Sequence, residues 1–215
     1  MADFTKTMRQ KQVSEKLFGI KSIAQIGMLS GIAFILMLFE FPLWFAPGFY
    51  KLDFSELPVL IGGFALGPAA GVFIELFKVL LNLAFNGTAT SGVGEFANFL
   101  IGCAFVLPAA LIYKHNKTRK NALIGLIAGT VMMAVVGSLL NAYLLLPLYS
   151  AAFHMPMNAL IGMGSVLNPA IKDISTFVLF AVAPFNIFKG VLVSAVTMLI
   201  YKKISPILHG VFHRT

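Results

Sequence analysis

Two pairs of polar residues at helical spacing, and one isolated asparagine, stand inside stretches that are otherwise apolar. Glu95 and Asn98 are three positions apart, as are Asn186 and Lys189, and Asn141 opens the run "NAYLLLPLYS". Residues three apart on a helix share a face, so each pair would present its polar atoms together. An asparagine amide carries two donors and an acceptor on one flat group, lysine adds a charged donor, and a carboxylate accepts from hydroxyls. Such a set suits the reading of a small molecule that mixes donors and acceptors. The competing interpretation is structural: Glu95 pairs with Lys189, and the asparagines join helices through hydrogen bonds. Glu75 and Lys78, also three apart, read as an intrahelical ion pair partly shielded by neighbours.

Catalytic chemistry finds less material. No G-x-x-x-x-G-K-[ST] phosphate loop occurs, so ATP hydrolysis by that device is excluded. His115, His154, His209 and His213 fall in expected loops or the tail without metal-ligand spacing, and no metal site is expected. The G-x-G at Gly92–Gly94 follows no strand, which rejects a dinucleotide fingerprint. The lone cysteine, Cys103, reads as a small buried hydrophobe. No cofactor and no catalytic residue is assigned, and the chain is not expected to be an enzyme.

The elements that must carry these residues are long and greasy. Of 215 residues, 59% are hydrophobic and 11% charged, against roughly 25% charged in soluble domains. Apolar runs occupy Ile20–Phe39, Leu57–Phe85, Phe96–Tyr113, Ala122–Leu148 and Ile174–Tyr201, and about 20 such residues cross a bilayer as a helix. The first run follows a charged leader without a short cleavage pattern, so it is expected to stay in the mature chain. Basic residues gather before the first run (Lys6 to Lys21), at Lys114–Lys120, and at Lys202, Lys203 and Arg214. The positive-inside rule puts all three groups in the cytoplasm.

That placement requires an even number of spans before Lys114, which the run Leu57–Phe85 supplies only if it breaks into a hairpin. Gly67-Pro68 is the place, because proline removes an amide donor and clashes with the preceding turn. The expected fold is an all-α integral membrane protein with six transmembrane helices. Its N and C termini are cytoplasmic, its second helix is short, and a long outer loop follows helix one. Residues 1–19 form a basic cytoplasmic segment, 20–205 the six-helix membrane domain, and 206–215 a cytoplasmic tail. Outer connections are Glu40–Glu56, Asn86–Val93 and Ser150–Asp173, and Glu95, Asn98, Asn141, Asn186 and Lys189 all fall toward that side. The net charge of +8 is explained by topology and anionic lipid, without a nucleic-acid partner. Gly27 and Gly31 form a small-xxx-small face on helix one, suited to close approach of a partner membrane subunit.

Four ordered stretches carry a family resemblance: "YKLDFSELPVLIGGFALGP" (Tyr50–Pro68), "GEFANFLIG" (Gly94–Gly102), "NAYLLLPLY" (Asn141–Tyr149) and "PFNIFKG" (Pro184–Gly190). With this spacing the chain resembles the riboflavin-specific substrate-binding subunits, or S-components, of energy-coupling factor transporters. The resemblance covers essentially everything from the first helix on. It implies a multi-pass protein of the bacterial plasma membrane that captures riboflavin, as transported ligand, at the outer face. The implied partners are a transmembrane coupling subunit and two cytoplasmic ATPase subunits. By the same resemblance, Glu95, Asn98, Asn141, Asn186 and Lys189 line the flavin pocket. The loop Phe45–Asp53, with Tyr50, Leu52 and Asp53, covers the isoalloxazine, and Trp44 is among the residues suited to its apolar plane. The family's first helix usually carries alanines where this chain has Gly27 and Gly31.

Overall fold

The computed structural model describes residues 19–210. The basic residues Lys6 to Lys16 and Arg214 lie outside that range.

Among the described residues, five helices are long and apolar enough to span a membrane: α1 (Ile20–Leu38), α3 (Pro68–Asn86), α4 (Val93–His115), α5 (Arg119–Ala152) and α7, which spans Ile174–Ile200 and continues to Gly210. Between α1 and α3 lies α2 (Glu56–Leu66), whose 11 residues measure about 16 Å at 1.5 Å per residue. The expected break is present. Gly67 closes α2 with a φ of +109°, a conformation open mainly to glycine, and Pro68 occupies the first turn of α3, where its missing amide costs nothing. Most of α2 is buried, and it packs against α1, α3, α4 and α7. A short helix is tolerable at membrane depth when protein surrounds it in this way.

The bundle is fastened by small residues where helices meet. On α5, a Cβ at Gly125 would lie 2.7 Å from the Ala109 carbonyl oxygen, and a Cβ at Gly129 would lie 2.9 Å from the Phe105 ring, so α4 and α5 approach nearly backbone to backbone. Leu57, Leu60, Phe64, Ile74, Phe105, Tyr113 and Leu126 fill the space between α2, α3, α4 and α5. The outer faces stay apolar, with Ile127, Val131, Val135 and Leu139 exposed along α5, as lipid contact requires.

Two connections carry structure that periodicity did not reveal. The loop after α1 is clipped by a minimal antiparallel pair, β1 (Phe41–Pro42) and β2 (Lys51–Leu52), with Phe41 opposite Leu52. An ion pair between Glu40 and Lys51 closes the same clip. The connection Ser150–Asp173 is largely helical: α5 runs on to Ala152, and α6 (Met157–Leu167) follows. Asp173 then starts α7 through a capping box with Thr176.

Candidate ligand-binding cavity

A cavity of about 660 Å³ opens among the loop after α1 and helices α3, α4, α5 and α7. Its wall is built from the C-terminal end of α3 (Asn82, Asn86), the start of α4 (Gly94, Glu95, Asn98), the second half of α5 (Asn141, Tyr149) and the first half of α7 (Phe185, Asn186, Lys189). All of these ends lie at one pole of the bundle, opposite the basic Lys114–Lys120 connection. The structure thus brings together Glu95, Asn98, Asn141, Asn186 and Lys189, and the loop adds Tyr50 and Asp53 to the same wall.

Two turns of π-helix shape the wall. One spans Asn141–Leu145 in α5 and the other Val178–Val182 in α7, and they pack against each other. An inserted residue of this kind re-aims the side chains that follow it and recurs at functional sites. Asn141 begins the first turn: its amide nitrogen donates to the Gly137 carbonyl at 2.8 Å, and its Oδ1 accepts from the Tyr50 hydroxyl at 2.5 Å. Asn186 follows the second turn and donates to the Val182 carbonyl at 2.9 Å, leaving its own carbonyl and one N–H uncommitted. Gly137 lies directly under that amide, since a Cβ there would stand 2.9 Å from the Asn186 nitrogen. On α4, the Asn98 Oδ1 is buried with no hydrogen-bond partner. An unmet buried acceptor costs about 1–3 kcal/mol, so a donor entering the cavity beside it gains what the empty protein lacks. Around these polar atoms stand Phe49, Tyr149, Phe153 and Phe185, with the Phe49 ring centroid 4.6 Å from that of Tyr50 and 5.1 Å from that of Tyr149.

Lys189 does not pair with Glu95. Its Nζ donates to Asp53 Oδ2 at 2.9 Å and lies 3.8 Å from Glu56. Glu95 instead accepts from Thr88 at 2.9 Å and Thr90 at 3.3 Å, bracing the loop that leads into α4. Burial pushes the Asp53 carboxyl up, but the ammonium groups of Lys189 and Lys78 outweigh it and hold the group below its ordinary value. The ion pair of Glu75 and Lys78 is present at 2.7 Å, yet both side chains are wholly buried rather than partly shielded, and Lys78 also reaches Glu56 at 3.0 Å.

Two residues of the loop depart from expectation. Leu52 is not on the cavity wall: strand alternation turns Lys51 outward and Leu52 inward, where it is 1% exposed in the apolar group with Leu43, Leu146 and Ile171. Trp44 is 79% exposed and meets Phe45 edge-on, away from the cavity. Glu56 was not foreseen as part of the site, although "DFSE" sets Asp53 and Glu56 three apart just before a buried apolar run. Asn82 and the aromatic wall were missed as well. Gly27 and Gly31 lie on α1, where a Cβ added to either would meet no protein atom within 4 Å, which leaves that face open.

Residues 21–201 match the family described as ECF transporter, substrate-specific component. The chain is 38% identical to the riboflavin transporter RibU of Staphylococcus aureus, over 87% of this chain and 92% of that one. It is 35% identical to the riboflavin transporter FmnP of Bacillus subtilis, over 87% and 93% respectively. A solved structure of the S component of a bacterial ECF transporter superposes with a TM-score of 0.69 at 39% identity, covering 88% of this chain and 98% of that one.

Proposed function

The chain belongs to the substrate-specific components of ECF transporters, and from its similarity to the riboflavin transporters RibU and FmnP we infer that it binds riboflavin for import into a bacterial cell. It is a multi-pass membrane protein whose role is capture rather than catalysis. The observation that carries the assignment of the site is the convergence of Asn98, Asn141, Asn186 and Lys189 on one cavity inside a membrane bundle. Its 660 Å³ lies within the range of about 300–1,000 Å³ usual for small-molecule sites.

Riboflavin matches this wall part by part. The isoalloxazine offers a broad apolar plane to Phe49, Tyr149 and Phe185, and its pyrimidine edge alternates donors and acceptors that the amides of Asn141 and Asn186 can read. The unmet carbonyl of Asn98 calls for a ligand donor. The ribityl hydroxyls suit Glu95 and Lys189. Tyr50 and Asp53 tie the loop to the two walls that hold Asn141 and Lys189, so the loop covers the bound ring.

The topology that serves this function has six crossing helices, α1 to α5 and α7, with α2 as the short second one and both termini cytoplasmic, so that the cavity faces outward. Energy for uptake comes from separate ATPase subunits acting through a transmembrane coupling subunit, for which the open Gly27 and Gly31 face of α1 is the docking surface. The test is a titration of detergent-purified protein with riboflavin, followed by quenching of flavin fluorescence. Stoichiometric quenching is expected, and Asn186→Ala and Lys189→Ala should each weaken it by one to two decades in Kd, from about 1–3 kcal/mol per lost buried partner. Absence of quenching in the folded parent protein refutes the ligand, and parent-like affinity in both variants refutes the site.

A further inference from the structure

Behind the cavity lies a larger set of charges than ligand recognition requires. Asp53 from the loop, Glu56 from α2, Glu75 and Lys78 from α3 and Lys189 from α7 are each no more than 5% exposed. They form one connected group, with Lys78 between Glu75 and Glu56, and Lys189 between Asp53 and Glu56. Among the described residues, the remaining walls add no compensating charge. Helix α4 contributes the Cys103 thiol and Gly102, whose missing side chain leaves room for the Glu75 carboxyl. On α1 and α5 the charged residues are Lys21, Arg119 and Lys120, all exposed at the opposite pole.

Three carboxyl groups therefore face two ammonium groups. An unbalanced charge in so enclosed a place costs several kcal/mol. The three acids are unequally served. Asp53 has Lys189 and the Ser55 amide, and Glu56 has Lys78 with Lys189 nearby. Glu75 has Lys78 alone, and the second oxygens of both Glu75 and Glu56 have no partner. Both carboxyl groups contact the same ammonium, Glu56 at 3.0 Å and Glu75 at 2.7 Å from the Lys78 Nζ, which sets them side by side. Ionised carboxylates only accept, so two carboxyls can share a hydrogen bond only when one carries a proton.

We propose that Glu56 and Glu75 form a proton-binding pair that holds one proton at neutral pH and makes the buried cluster electrically neutral. Glu56 reaches both Lys78, at 3.0 Å, and Lys189, at 3.8 Å. Lys189 stands on the cavity wall, so the pair sets the position of a group that the riboflavin reading above assigns to the ligand.

The experiment is infrared spectroscopy of the full-length, ligand-free protein in neutral buffer, in H2O and in D2O. A protonated-carboxyl carbonyl band that shifts in D2O is expected. It should vanish in both Glu75→Gln and Glu56→Gln, because either change leaves two carboxylates facing two lysines. Lys78→Met should strengthen it, because the deficit of positive charge widens. No such band in the parent protein overturns the proposal, as does a band that persists in either folded glutamine variant. A missing band together with thermal stability that rises with sodium or potassium would assign the balancing charge to an inorganic cation and likewise overturn it. The measurement uses no flavin, so its failure leaves the riboflavin assignment standing, and a failed flavin titration leaves the proton pair standing.

Discussion

Replacing Asn98 by leucine should move stability and binding in opposite directions. The two side chains are similar in size, so Asn98→Leu removes the amide with little change in packing. In the ligand-free protein the Asn98 Oδ1 is buried and unpartnered, a condition that costs about 1–3 kcal/mol. Removing that acceptor should leave thermal unfolding of the empty protein unchanged or raise its midpoint. With riboflavin present the same atom gains a donor, so its loss should cost about 1–3 kcal/mol of binding, or roughly one to two decades in Kd. The assay pairs two measurements on one detergent preparation: unfolding with and without riboflavin, and titration by fluorescence quenching. The parent should gain much more thermal protection from the vitamin than the variant does, since protection follows RT ln(1 + [L]/Kd). A variant that unfolds earlier when empty yet binds riboflavin with parental affinity would show that Asn98 is a packing residue and refute the reasoning.

Asp53→Asn takes the nearest carboxylate from Lys189, which keeps only Glu56 at 3.8 Å; release of the shared proton keeps the cluster neutral, so stability should fall by the worth of one charged hydrogen bond, about 1.5–3 kcal/mol, read from the denaturation midpoint. Gly137→Ala would set a methyl 2.9 Å from the Asn186 amide nitrogen, so flavin affinity should fall by at least about tenfold, or 1.4 kcal/mol, in a protein that still folds. By contrast, Lys51→Ala breaks an exposed ion pair with Glu40 and should change stability by less than about 1 kcal/mol. The last comparison tests whether the loop is held by its buried ties to Asn141 and Lys189 or by the clip at its base.

Helices α1, α3, α4, α5 and α7 were legible because spanning a bilayer leaves a long apolar run, and the Gly67-Pro68 break was legible because proline and glycine act locally. The same holds for the site residues on these helices: a lone Asn141 or Lys189 stands out against leucine and phenylalanine. What the sequence hid were relations across distance. Lys189 finds Asp53 and not Glu95, a choice made by the path of the loop and invisible to helical spacing. Leu52 sits between two cavity residues in sequence yet faces the core, because a two-residue strand fixes its side. The π-turns at Asn141 and Val178 left no mark in the apolar pattern, since one inserted residue shifts the face of a helix without changing its composition. Helix α6 lay in a connection whose Met, Pro and Gly content hid an 11-residue helix.

The short, buried α2 also bears on how the chain enters the bilayer. Its 11 residues of helix cover only about half of hydrocarbon about 30 Å thick, and it begins with Glu56. The next segment, α3, carries Glu75 and Lys78, and charged side chains at a helix centre each cost about 2.5–3.5 kcal/mol on insertion. Within α3 those two charges offset each other at 2.7 Å, whereas Glu56 finds Lys78, at 3.0 Å, only when both helices are together. Pairing of α2 with α3 about the turn at Gly67 is therefore the step that offsets the cost of carrying Glu56 into the bilayer.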